Sequence, residues 1–190
     1  AHMDDGFPGN RRFDAIYQLR DAALTLTLRS QTDRPTLANL APHGYWNLTG
    51  GRDLAGHVLQ VAADHVTPTG PGKIPAGPPE PVTGGFDLRG GRTLVDSQLD
   101  HNFCLGPARV PLRPVASLRA GRVVMTLATT EPGLQVYDGH MQADQPHFGV
   151  AMESQVWPDA PNQPGYPSIL LRPEDGVLEQ ITEWSFAHVD

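Results

Sequence analysis

Apolar side chains in this chain recur at every second position in one segment after another, and helical spacing is nearly absent. Phe13, Ala15, Tyr17 and Leu19 alternate with mainly polar neighbours. After Asp21, Leu24, Leu26 and Leu28 alternate with Thr25, Thr27 and Arg29. A period of two marks a strand with one face on a core and the other on solvent. The pattern predicts two strands joined by a turn here and short strands over 35–40 and 57–61. It predicts further strands over 99–105, 110–118, 122–128, 134–137 and 149–155, a short one over 168–171 and a long one over 178–186. Residues 64–91 are dense in glycine and proline and read as an extended, turn-rich connection, longer than a compact domain usually carries without a task. The chain has 190 residues, of which Gly 20 and Pro 19 make about a fifth, a balance that suits many turns between short strands. The expected fold is all-β, a sandwich of antiparallel sheets forming one domain over residues 4–190. Ala1-His2-Met3 reads as a remnant of recombinant expression and is set aside.

Charge and motifs narrow the function. The net charge of -7 argues against nucleic acid or an anionic membrane as partner, because both require a basic face. One cysteine, Cys104, cannot build an internal disulfide framework. It suits a reducing compartment, so the expected location is the cytoplasm. No apolar run approaches the length of a membrane span. Eight histidines raise the question of a metal, but no HxH, HExxH or cysteine–histidine cluster is present, so no metal site is expected. His57, His65, His140, His147 and His188 read as surface or turn residues. No glycine-rich loop joins a strand to a helix, and no G-x-S-x-G elbow occurs.

What remains is polar residues set beside aromatics. His43 stands near Tyr45, Trp46 and Asn47; Asp100 stands with His101, Asn102 and Phe103; Gln135 stands with Tyr137. The strand at 149–155 carries Glu153 and then stops at Pro158, before a proline-rich loop. Val150, Met152 and Ser154 point to one side of it; Ala151, Glu153 and Gln155 point to the other. A carboxylate on a strand that ends in a rigid loop has a fixed backbone and a ready shield from water. Aromatic faces beside carboxylates and amides suit a sugar, and a histidine with a carboxylate can act as an acid and base pair. The residues are equally compatible with aromatics serving the core while the polar groups tie down loops.

Five segments go further. NLAPHGYWNL at 39–48, IPAGPPEPVTGGFDLR at 74–89, LDHNFCL at 99–105, TEPGLQVYDG at 130–139 and GVAMESQVWPDAPNQPGYPSILLRP at 149–173 resemble, in order, the aldose 1-epimerases, or galactose mutarotases. The resemblance implies a large antiparallel β-sandwich that interconverts the α and β anomers of free aldoses such as galactose and glucose. It implies Glu153 as the general base that takes the C1 hydroxyl proton and His43 as the general acid that protonates the ring oxygen. Asp100 matches a carboxylate that binds sugar hydroxyls, and Gln135 lines the same cleft. No cofactor is implied, since no electrons leave the sugar.

The resemblance has gaps. Family members carry a portion ahead of the turn that here reads Gly6-Phe7-Pro8-Gly9. That portion supplies an arginine and an asparagine that hold the sugar, and a second histidine in an H-G-G segment; no H-G-G occurs here. Ala41-Pro42 also departs from the family's usual polar pair. The expectation is therefore a sandwich lacking its N-terminal strands, with exposed sheet edges that favour self-association. A truncated, non-catalytic sugar-binding sandwich is the alternative function. A phosphorylated hexose would need gathered arginines, and Arg89, Arg113, Arg119, Arg122 and Arg172 show no clustering in sequence.

Overall fold

The structure, a computed structural model, describes residues 2–95 and 97–189; Ala1, part of the presumed expression remnant, lies outside them. The chain opens with β1 (Arg11–Arg20) and β2 (Ala23–Thr32), a hairpin that turns at Asp21 with φ 49°. Three short strands follow, β3 (Thr36–Leu37), β4 (Tyr45–Trp46) and β5 (His57–Val61), and then β6 (His65–Val66), β7 (Glu80–Pro81) and β8 (Arg92–Thr93). The middle of the chain holds β9 (Asp100–Cys104), β10 (Arg113–Ala120), β11 (Val123–Thr129) and β12 (Gly133–Tyr137). It closes with β13 (Val150–Gln155), β14 (Leu170–Leu171) and β15 (Leu178–His188). Helical structure among the described residues is confined to four 3-10 turns of three residues each.

All strand pairing is antiparallel. A seven-stranded sheet runs β1-β2-β15-β11-β10-β5-β8, a six-stranded sheet runs β4-β13-β12-β9-β6-β7, and β14 pairs with β3 in a separate ribbon. The alternation seen in the sequence is the alternation of the sheets. One cross-strand row of the first sheet reads Val61, Ala116, Leu127, Trp184, Leu24 and Leu19. The second sheet answers with Val66, Phe103, Leu134, Val136 and Met152. The two inner faces merge into one core that includes Leu59, Leu118, Met125, Phe103, Leu134 and Met152, all fully buried or nearly so. Ser154 of β13 and Thr182 of β15 share a buried hydrogen bond across the interface between sheets. The all-β sandwich is as expected.

Several local expectations need correction. The 64–91 connection is not wholly irregular: β6 and β7 pair within it and extend the second sheet beyond β9. The strand expected over 35–40 is only Thr36–Leu37, because the chain turns away at Asn39, which bonds to Val156 just beyond β13. The strand expected from Val110 begins at Arg113, and the stretch expected over 168–171 pairs only at Leu170–Leu171. His57 is not a surface residue. It is fully buried on β5, where its Nε2 accepts the Leu48 backbone N–H at 2.9 Å. At the far edge, Phe13, Tyr17 and Leu19 of β1 lie on the core-facing side by register, yet remain 47%, 66% and 75% exposed.

One buried charge anchors the turn that enters β12. Glu131 is fully buried and receives Arg109 Nε at 2.8 and 3.0 Å. Burial raises its pKa, and Arg109 acts against that rise. Removing the arginine leaves a buried, unpaired carboxylate. Arg109→Leu is therefore expected to destabilise the fold by about 3 kcal/mol, read from the midpoint of urea denaturation at pH 7.

Candidate active site

The outer face of the second sheet is where the polar residues gather. Pairing places Asn102 of β9, Gln135 of β12 and Glu153 of β13 in one row across three adjacent strands. Asp100 and Tyr137 form the next row with Ala151 and Tyr45. Cross-strand partners share a face, so four strands aim these side chains to one side, away from Val136 and Met152. Continuing the β4–β13 register by two residues brings His43 level with Glu153. His43 Nε2 lies 3.2 Å from Glu153 Oε1.

His43, Asp100, Gln135 and Glu153 line one cleft of about 460 Å³, together with Tyr137, Met141, Gln155 and Pro158. The structure thus brings all four sequence-derived candidates together from segments spread between residues 43 and 153. Gln135 Nε2 donates to Asp100 Oδ1 at 2.8 Å. That bond fixes the carboxylate and leaves Asp100 Oδ2 and the Gln135 carbonyl oxygen for a ligand. Tyr45 and Tyr137 meet edge to face at 6.2 Å, and His43 packs 5.5 Å from Tyr45. The loop after β12 is pinned over this rim, because Gln142 Nε2 donates to the Tyr45 hydroxyl and the Met141 N–H donates to that of Tyr137.

Glu153 points away from the core, yet it is only 9% exposed, since loops cover the outer face at this point. Burial pushes its pKa up, the charge of Asp100 pushes it further, and His43 opposes both. The His43 side chain, in contrast, is 58% exposed. His101, the neighbour of Asp100, does not enter the cleft. It turns to the inner side, packs on Phe86 at 4.5 Å, and lies 3.2 Å from Thr69 Oγ1. Its Nδ1 accepts the Asp100 N–H, and burial lowers its pKa, so the ring is a neutral support for the Asp100 backbone. Cys104 is also passive, its thiol pushed up to about 12 by burial.

Sequence reasoning did not assign Tyr137, Met141, Gln155 and Pro158 to the cleft. Alternation from Glu153 does point to Gln155 and alternation from Gln135 to Tyr137; Met141 and Pro158 reach the cleft through loop paths that carry no such signal.

Comparison with known proteins identifies the family. The aldose 1-epimerase family model matches residues 1–177. The chain belongs to that family. It is 36% identical over 203 residues to human galactose mutarotase, covering 95% of this chain and 58% of the human protein. It is 30% identical to Escherichia coli aldose 1-epimerase, covering 96% of this chain and 60% of that one. A solved structure of an aldose epimerase homologue from Caenorhabditis elegans superimposes with a TM-score of 0.90 at 26% identity, over 100% of this chain and 64% of the other. The chain therefore spans about three fifths of the length of the relatives it matches. Within this epimerase-family sandwich, the cleft lies on the outer face of the smaller sheet.

The start of β12, two residues before Gln135, depends on a missing side chain. A Cβ on Gly133 would lie 2.5 Å from Asn102 Oδ1 and 2.8 Å from Trp157 Cδ1, both held in buried positions. The Trp157 Nε1–H donates to the Pro132 carbonyl and cannot swing away freely. Gly133→Ala is expected to destabilise the protein by about 1–3 kcal/mol and to shift Trp157 emission to the red, measured by thermal denaturation and tryptophan fluorescence.

Proposed function

We propose that this chain interconverts the α and β anomers of a free hexose such as galactose or glucose, with Glu153 as general base and His43 as general acid. The observation that carries this reading is the 3.2 Å contact between them, in a cleft that also presents Asp100 and Gln135. Ring opening at C1 moves protons on two oxygens, the hydroxyl and the ring oxygen, and both are bonded to the same carbon. An acid and a base that reach those two oxygens must sit within a few ångströms of each other, as His43 and Glu153 do.

In the forward direction Glu153 takes the proton from the C1 hydroxyl while His43 donates one to the ring oxygen. The C1–O5 bond breaks and C1 becomes an aldehyde. Rotation about C1–C2 presents the other face of the carbonyl. The ring oxygen then attacks C1, returning its proton to His43, and the carbonyl oxygen takes one from Glu153. The two groups end as they began. Asp100 and Gln135, locked together, hold sugar hydroxyls while the ring is open. Human galactose mutarotase and Escherichia coli aldose 1-epimerase, the relatives named above, support this choice of reaction and substrate. No arginine or lysine lines the cleft among the described residues, which favours a neutral sugar over a phosphorylated one.

The bare core-facing row on β1 and its free edge support self-association of this chain; a monodisperse monomer by light scattering would reject that part of the reading. No helix among the described residues is long and apolar enough to cross a membrane. A cytoplasmic site of action belongs to the proposal.

Freshly dissolved α-galactose followed by polarimetry tests the main reading. The wild-type protein is expected to speed mutarotation above the spontaneous rate, and Glu153→Gln and His43→Asn are each expected to lose about 10²–10⁴-fold. A wild-type rate equal to the spontaneous one overturns the proposal. Because the base works ionised and its pKa is raised, the acid limb of the kcat/KM profile is expected above the ordinary glutamate value of 4.5.

A further inference from the structure

We infer that Asn39 is a positioning residue for the acid–base pair: its side-chain amide joins the loop carrying His43 to the chain just beyond Glu153, and so sets the distance between the two. The inference rests on the reading of His43 and Glu153 given above.

Asn39 Nδ2 donates to the Val156 carbonyl at 2.9 Å, and the Val156 N–H donates to Asn39 Oδ1, also at 2.9 Å. This two-bond pattern is what one residue of a neighbouring strand would offer, supplied here by a side chain. Val156 follows Glu153 by three residues, and Asn39 precedes His43 by four. On the other side of His43, β4 pairs with β13 at Tyr45–Ala151 and Trp46–Val150. The His43 backbone is thus tied to the Glu153 strand at two points that bracket it.

The remaining ties of the loop lead elsewhere. The Ala38 N–H donates to Ile169, and the Leu40 carbonyl accepts from Gln180 Nε2 of β15. The His43 side chain is more than half exposed, so its one ring contact, with Tyr45, does not by itself fix it. Its place relative to the base comes from backbone anchorage, and on the C-terminal side of Glu153 that anchorage is Asn39.

Loosening the tie has a defined consequence. A displacement of about 1 Å at a reacting group can cost about 10²-fold in rate. Asp100 and Gln135 belong to β9 and β12 and are untouched by this loop, so sugar binding is retained. The groups facing Glu153 are His43 from the loop before β4, Tyr45 from β4 itself and Asp100 from β9. Of these His43 alone lowers the pKa of the base. When His43 retreats, the pKa of Glu153 rises, and the acid limb of the rate profile moves to higher pH.

Asn39→Ala tests this, with Asn39→Asp as the second variant, since it keeps the acceptor for the Val156 N–H and loses only the donor. Thermal denaturation checks that each is folded. Expected for Asn39→Ala are a kcat lower by about 10–10²-fold, a KM within about twofold of wild type, and an acid limb displaced upward; Asn39→Asp is expected to lose less rate. A measurement independent of turnover accompanies these. The His43 Cε1–H proton resonance is followed against pH in wild type, Glu153→Gln and both Asn39 variants. Wild type is expected to show an inflection from the ionisation of Glu153, which Glu153→Gln removes and Asn39→Ala weakens. A folded Asn39→Ala with wild-type kcat and an undiminished inflection overturns the inference, as does a variant altered in KM alone. If Asn39→Ala does not fold, Asn39→Asp with wild-type values in both measurements overturns it. Should wild type show no mutarotation, the functional reading falls while the resonance still decides whether Asn39 holds the pair.

Discussion

β13 is covered on both faces, and it carries a carboxylate. Val150 and Met152 face the core, while Glu153 on the opposite face is nearly as inaccessible. A buried carboxylate is costly unless something favours its charge, and here the contact from His43 does so. Removing water from one side of the pair raises the basicity of the glutamate. Leaving the histidine open to solvent lets it exchange protons. The asymmetry of exposure, 12% for one side chain and 58% for the other, gives two neighbouring groups two environments. Under the proposed reaction, such a difference would separate the duties of an acid and a base.

The other parts of the site inherit their positions from strand register. Adjacent strands of an antiparallel sheet stand about 4.8 Å apart, so side chains in one row span roughly the width of a pyranose ring. Gln135 and Glu153 occupy such a row, and Asp100 is one row along on the next strand. Rigid strands carry Glu153, Asp100 and Gln135, whereas His43 sits on a loop that needs its own ties. Asn39 and the short β4 pairing supply them. The glycine at 133 leaves room at the start of β12 for Asn102 and Trp157.

Much of the sandwich was legible because alternation is a local property. Leu24, Leu26 and Leu28, or Leu178 to Phe186, announce a strand and its core face without reference to the rest of the chain. The failures occur where pairing depends on distant partners. β6 and β7 are two residues each and form only because Cys104 and Phe103 offer an edge. His57 looked like a surface residue, but β10 and β8 enclose it on both sides. Asp100 and His101 are neighbours in sequence, and only the pleat of β9 separates them, one to each face. Glu153 and His43 were recognisable through family resemblance; spacing alone did not single them out, because an outward glutamate on an alternating strand ordinarily meets solvent.

By itself, then, the sequence determined the all-β class, most of the strand positions and the inward faces, and its resemblance to a family pointed to four of the side chains that line the cleft. These follow from period-two patterning and from short motifs, both of which are written in neighbouring residues. The tertiary structure alone decided that segments around 43, 100, 135 and 153 converge and that Glu153 is sheltered on its outer face. It also decided that Asn39 reaches across to Val156. Those outcomes depend on which strands become neighbours and which loops fold over them. Such contacts join residues far apart in the chain, and their energies come from burial and charge at the meeting point, which no single stretch of sequence contains.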